Sequence, residues 1–412
     1  MNSRASVVAF LCSLSAAVVL PVAAAAQYVP PPTAPPKQDS TKPPETSPPQ
    51  SAAPIPAPPA LNFSGVIYAN YQYHGEASNK AQNRFDLDRA YLNFRMAAGK
   101  RASIRITADV FQQASTANNA DAFYRGWVFR AKYAYLQYDY VQPAHAAGFG
   151  AVARIGLIHN MFIDHEESFW LRWLSTVAVD RAGWFSSADA GLSTFLTFPN
   201  KIGELYAGVF NGPGYTSREV DRFKDFGARL TFTPLAKSEL TYLRTFAVDG
   251  WVYRGATASR FVNGGVGQVG PVGDGLDRNR WGVFAGIKDP RLVIGADYAQ
   301  RQDEGEGASL NTPASPRLVS DSTGRLFSAY THVKPFLIAD AKSPIPLGIV
   351  ARWDRVKPNT SSDGYYNLVI AGLTWDLTKQ TAIALDYQEQ TPKGTAAVSP
   401  TRVYFLHVVA NF

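Results

Sequence analysis

The sequence predicts an all-β protein: a transmembrane antiparallel β-barrel of about sixteen strands with one connection folded inward as a constriction loop. Three observations predict it. Segments of about ten residues with period-two alternation recur from residue 61 to residue 412. Tight turns alternate along the chain with long polar connections, an asymmetry that barrels show and soluble sandwiches do not. The chain is rich in Phe, Tyr and Trp (24, 20 and 8 residues), yet no apolar run reaches the eighteen or so residues of a spanning helix.

Residues 1–26 read as a secretory signal, with Arg4 at the start, a largely apolar run from Val7 to Leu20, and a small-residue site at Ala24-Ala25-Ala26. The single cysteine, Cys12, lies inside that segment, so the remainder has no thiol for disulfides, zinc or catalysis. Residues 27–60 form a linker of Pro, Ala, Ser and Thr, including Pro30-Pro31-Pro32 and Pro58-Pro59. Such a composition buries too little apolar area to repay ordering, and proline keeps it extended as a periplasmic tether. Residues 61–412 are then one barrel domain, with no linker-like break inside it.

The alternation places strands at 61–74, 84–97, 101–113, 127–140, 150–158, 190–199, 203–211 and 224–234. It continues with 237–246, 279–288, 290–301, 324–334, 346–356, 364–377, 380–390 and 400–412. Tight turns fall at Gly99-Lys100, 199–202, 234–237, Asp289-Pro290 and 378–380, while 247–278 and 302–323 read as long loops. In the closing strand, Tyr404, Leu406, Val408, Ala410 and Phe412 share one face, and His407 and Asn411 fall on the other. Its terminal Phe, eight residues after a Tyr, resembles the closing strand that assembly machinery reads in bacterial outer-membrane barrels.

Parity then assigns charges to faces. An arginine on the lipid face at mid-bilayer costs about 2–4 kcal/mol, so each strand turns its apolar set outward. Ala90, Leu92, Phe94 and Met96 face lipid, which sends Arg89 and Arg95 into the lumen. The same test sends Arg105, Arg154, Arg229, Lys288 and Arg352 inward, together with Asp297, Asp354 and Asp386. Arg244 and Arg325 sit on strands of ambiguous parity and stay unassigned. The chain carries 40 basic against 33 acidic residues, and a basic lining with acids opposite favours anions and sets up a transverse field.

The connection from His159 through Leu174 to Trp184 is long, aromatic and charged. Phe169, Trp170, Trp173 and Trp184 would be poorly placed in water, so this stretch should fold into the lumen and narrow it. Asp164, His165, Glu166, Glu167, Arg172 and Arg181 are its candidate constriction residues. His159, Asp164, His165 and Glu166 have no strong zinc spacing, so neither metal nor cofactor is expected. No G-x-S-x-G, P-loop or paired-acid motif stands on a credible scaffold, and no enzyme activity is expected.

With Phe85–Phe94, Lys132–Tyr138, Glu166-Glu167-Ser168 after Arg154-Ile155-Gly156, and the closing strand to Phe412, the chain resembles the phosphate-selective porin O and P (OprO/OprP-like) family. The resemblance implies a sixteen-stranded outer-membrane barrel, usually a homotrimer, whose third external loop folds inside and whose arginines lead anions, phosphate among them, down the pore. The constriction stretch itself is rich in acids (Asp164, Glu166, Glu167, Asp180) and holds no lysine cluster. The expected function is therefore passive diffusion of small hydrophilic solutes with anion preference. Two alternatives stay open on the sequence: a barrel that is a structural platform tethered to the cell wall, and a sugar channel with an aromatic track.

Overall fold

The computed structural model describes residues 60–76, 82–113, 126–145, 147–219, 221–258, 275–306, 319–394 and 398–412. The segment read as a signal and all but the last residue of the Pro-rich segment lie outside the described residues. The described residues from 60 to 412 form one compact unit.

Sixteen strands close into a barrel. The first eight are β1 (Leu61–His74), β2 (Asn83–Ala97), β3 (Ala102–Gln113), β4 (Gly126–Val141), β5 (Gly150–His159), β6 (Ala188–Thr197), β7 (Gly203–Phe210) and β8 (Asp225–Phe232). The second eight are β9 (Ala247–Ala258), β10 (Gly275–Asp289), β11 (Leu292–Glu306), β12 (Val319–Val333), β13 (Leu347–Lys357), β14 (Tyr365–Asp376), β15 (Thr381–Lys393) and β16 (Thr401–Asn411). Each pairs antiparallel with its neighbours in sequence, and β1 pairs with β16 to complete the ring. Full closure leaves no unpaired edge, the only way a sheet can sit in hydrocarbon.

At the seam, the Gly65 N–H donates to the Phe412 carbonyl at 2.8 Å and the Phe412 N–H donates back at 3.0 Å. The Phe412 ring lies across Gly65, where a β-carbon would come within 2.3 Å of it. A larger residue at this position would have to displace the ring.

The outer face is an apolar belt. Ile106, Ile155, Leu192, Leu230, Val283, Ile349, Leu373 and Leu385 are all exposed on it, Leu385 at 63%. Aromatic side chains mark its borders, among them Trp375 towards the short turns and the Phe327–Trp353 pair, with centroids 5.6 Å apart, towards the long loops. That is the outward pattern of a lipid-facing barrel, whose short turns are periplasmic and whose long loops are external. Short connections such as 98–101, 198–202, 290–291 and 377–380 do gather at one end, opposite the long ones.

Strand 9 departs from the sequence expectation. Residues 237–246 do not form a strand; they make a turn that contains a 3-10 segment, Thr241–Thr245, and Arg244 Nε donates to the Ser238 carbonyl at 2.7 Å. The strand is Ala247–Ala258, inside the stretch read as a long loop. Its inward face carries Ala247, Asp249, Trp251 and Tyr253, all buried, so aromatic groups stand where alternation would demand polar ones. Arg325 shares the parity of the exposed Phe327 and points outward.

Candidate pore and constriction segment

Residues 160–187, between β5 and β6, lie inside the barrel. Asn160 starts the segment: its Oδ1 accepts hydrogen bonds from the backbone N–H groups of Phe162 at 2.9 Å and Ile163 at 3.4 Å. Two single-turn helices follow, α1 (Ile163–Glu166) and α2 (Ala178–Arg181). Their apolar side chains dock on one wall. Phe162 packs on Trp251 and Phe284, with centroids 5.2 and 6.3 Å apart. Phe169 packs on Phe284 at 5.0 Å, Trp170 on Tyr330 at 5.1 Å and Phe185 on Tyr253 at 5.0 Å. Phe162, Ile163, Val177 and Val179 are wholly buried in a hydrophobic core inside the barrel, to which β9–β13 contribute Trp251, Phe284 and Tyr330. Each such side chain contributes about 1.5–3 kcal/mol by leaving water.

Polar ties fix the same dock. Arg352 Nη1 donates to the Thr176 carbonyl at 2.7 Å while its other nitrogens grip Asp354 at 2.8 and 2.7 Å. Gln388 donates to the Leu174 carbonyl at 3.0 Å, and Arg280 donates to the Trp184 carbonyl. Each satisfies a main-chain carbonyl that the inward fold removes from water.

The opposite wall, β2–β5, is basic. Arg105 donates to Asn93 Oδ1 at 3.0 Å, Thr107 Oγ1 at 3.1 Å and His159 Nε2 at 3.0 Å. Arg154 donates to Gln137 Oε1 at 3.0 Å, and Lys132 to Tyr91 Oη at 3.2 Å. All these partners are neutral hydrogen-bond groups. Arg95 is exposed on the same parity as Asn93. Arg89 and Arg130 share one carboxylate, Asp109, at 3.9 and 2.8 Å.

Facing this wall, the segment presents acids. Asp164 is 54% exposed and its Oδ1 lies 3.8 Å from His159 Nε2. Glu167 Oε1 sits 3.1 Å from Arg172 Nε, and Arg172 reaches Asp88 on β2 at 3.4 Å. Burial pushes the Glu167 carboxyl above its usual range, with Lys132 and Arg172 pulling the other way.

The remaining sequence candidates are used differently. Arg229 is paired with Glu204 at 2.6 Å and donates to Thr231 at 3.0 Å. Lys288 is exposed near the short-turn end, 6.0 Å from the Phe169 ring centroid. Asp297, Asp354 and Asp386 are buried inside. His165 turns away from Asp164: its Nε2 is 2.7 Å from Asp249 and its Nδ1 3.4 Å from Glu204. Arg181 donates to Ser175 Oγ at 3.3 Å, and burial lowers its affinity for its proton. Glu166 is fully buried, with neither oxygen in hydrogen-bond geometry. Burial first, and then the neighbouring Asp297 carboxylate, raises its carboxyl well above the usual range. The four residues His159, Asp164, His165 and Glu166 thus do not converge on one point.

Parity alone misses Lys132. It and Tyr133 are consecutive yet both buried inside, because a β-bulge shifts the β3–β4 register at Thr107/Ala108. Asp88 and Asp249 are further interior carboxylates that alternation did not single out.

No family model matches the chain, and no curated protein matches it. Solved structures do. An anion-selective porin from Comamonas acidovorans superposes with a TM-score of 0.55 at 11% identity, covering 86% of this chain and all of the other (100%). The outer-membrane channel DcaP of Acinetobacter baumannii gives 0.55 at 13% identity, with 87% and 99% covered. OprB of Pseudomonas putida gives 0.55 at 10% identity, with 85% and 94% covered. The chain has the fold of outer-membrane porin barrels.

Proposed function

We propose that this protein is a porin of the bacterial outer membrane through which small hydrophilic solutes diffuse passively, with a preference for anions. One observation carries the preference. Arg95, Arg105, Lys132 and Arg154 stand on the inner face of β2–β5, and none forms an ion pair among the described residues. Across from them the exposed acid is Asp164, while Glu167 is neutralised by Arg172. A solute crossing between wall and segment meets a transverse field whose positive side is the stronger, and low-dielectric walls sharpen it. The constriction is set by Asp164, Glu167 and Arg172, and Glu166 serves the dock.

Trp170 and Trp184 are 3% and 2% exposed, so they offer no face to a sugar, which disfavours the aromatic-track alternative. Phosphate is the specific anion that the resemblance to the phosphate-selective family points to, carried here by arginines rather than a lysine cluster. A homotrimer fits the same reading, and one matching structure is a trimer form of Vibrio cholerae OmpT. Residues 1–26 act as the export signal and 27–60 as a periplasmic tether.

The test is the reversal potential of the purified protein in planar bilayers under a salt gradient, repeated with phosphate. An anion-favouring potential is expected, with phosphate reducing chloride current. Non-selective channels would remove the anion preference, and a folded barrel that never conducts would favour the tethered platform.

A further inference from the structure

The outward face of β12–β15 carries cations where the lipid belt ends. Arg325 on β12 pairs in register with Lys357 on β13, and Phe327 pairs with Arg355. Asn367 and Tyr365 on β14 continue the patch, and Lys393 on β15 lies opposite Tyr365. Arg325, Arg355 and Lys393 are exposed. Among the described residues none of these four cations has an ion-pair partner.

Their height is set by the side chains below them. Phe327 and Trp353, two residues along each strand towards the turns, form the aromatic border of the apolar belt. Two further residues take the chain about 6–7 Å along a strand, from the edge of hydrocarbon into the head-group layer. Charge at that height costs a barrel only about 0–1 kcal/mol, against 2–4 kcal/mol at mid-bilayer. The strand ends concerned adjoin the connections 307–318, 358–364 and 394–400, on the long-loop side, which faces outward from the cell.

The patch is also ordered. The Arg355 guanidinium lies 5.6 Å from the Trp353 ring centroid and 4.8 Å from that of Tyr365, and its Nε donates to Asn367 Oδ1 at 3.1 Å. Both Nη groups thereby stay free and held in place, the geometry that suits a phosphate group. The nearby acid Glu389 is occupied by Arg402 at 3.0 Å, by Thr391 at 2.7 Å and by Tyr387. On β12 the next outward carboxylate, Asp321, stands four residues beyond Arg325, about 13 Å along the strand.

We propose that Arg325, Arg355 and Lys357, with Lys393 beside them, bind the phosphate group of a lipid in the outer leaflet. The site rests on the outer-membrane reading but not on the channel's selectivity, because it lies on the far side of the barrel wall.

Full-length protein and an Arg325→Gln/Arg355→Gln/Lys357→Gln variant are inserted into phosphatidylcholine vesicles containing a bis-phosphorylated glycolipid, and retained lipid is counted by native mass spectrometry. Each charge removed should lower retention about fivefold, since one basic residue near an anionic surface is worth about 1 kcal/mol. The wild type should retain the dephosphorylated glycolipid no better than the variant does, and Arg355→Lys should fall between. Reversal potentials should be identical in all forms, which also shows that the variants fold and insert. Equal retention by wild type and variant, or indifference to the glycolipid's phosphates, overturns the site. Displacement by millimolar inorganic phosphate overturns the lipid as its occupant. Failure of the wild type itself to insert would instead overturn the outer-membrane reading.

Discussion

Arg352 on β13 donates to the main-chain carbonyl of Thr176 at 2.7 Å, joining the barrel wall to the segment that fills it. The same guanidinium neutralises Asp354 and stacks 4.9 Å from the Trp170 centroid. Arg352→Ala leaves Asp354 buried without a partner and frees the carbonyl. The expected loss is about 3–5 kcal/mol, the range for breaking a buried pair by removing one member. Denaturant unfolding in detergent measures it, and single-channel recordings should show added current noise as the segment loosens.

The proposed anion preference rests on few side chains. An Arg105→Glu/Arg154→Glu variant reverses two charges whose native partners are neutral groups. Its reversal potential should change sign towards cations. Adding Arg89→Glu should move it less, because Arg89 already shares Asp109 with Arg130.

Glu166 makes stability depend on pH. Its carboxyl is raised in the folded state, so the folded protein holds that proton more tightly than the unfolded chain. The stabilising effect is complete below the ordinary value of 4.5 and is lost as pH climbs from there through the raised value. Glu166→Gln keeps the shape and removes this carboxyl, leaving Asp297 as the acid at the site. Above pH 4.5 the wild type should lose stability relative to the variant by up to about 1.4 kcal/mol per pH unit. Unfolding midpoints taken at intervals from pH 4 to about 9 test the difference.

Phe162 tests the internal core. It is wholly buried against Trp251 and Phe284, and Phe162→Ala should cost about 3–5 kcal/mol. If the core holds the segment in place, mean conductance rises in the same variant. Lost stability with unchanged conductance would mean that other ties suffice.

Most of the barrel could be read from the chain because lipid enforces a rule on one face of every strand. Fifteen of the expected strands overlap observed ones, and β1 coincides with residues 61–74. Strand 9 escaped because its inward face answers to the docked segment rather than to water. Trp251 and Tyr253 are there for Phe162 and Phe185, so polar and apolar residues cease to alternate. The inward fold of 160–187 was legible in its tryptophans, but the wall it would choose was not, since docking partners lie far apart in sequence. For the same reason the burial of Glu166 and the turning of His165 towards Asp249 could not be read from spacing.

The docked segment also divides the barrel's interior into two kinds of evolutionary territory. Substitutions on β9–β13 disturb a packed core and act first on folding. The wall of β2–β5 has side chains whose charge can change with little loss of packing, as at Arg95 and Arg154. If the barrel is the porin proposed above, its permeability could change through one wall alone, while the other preserves its architecture.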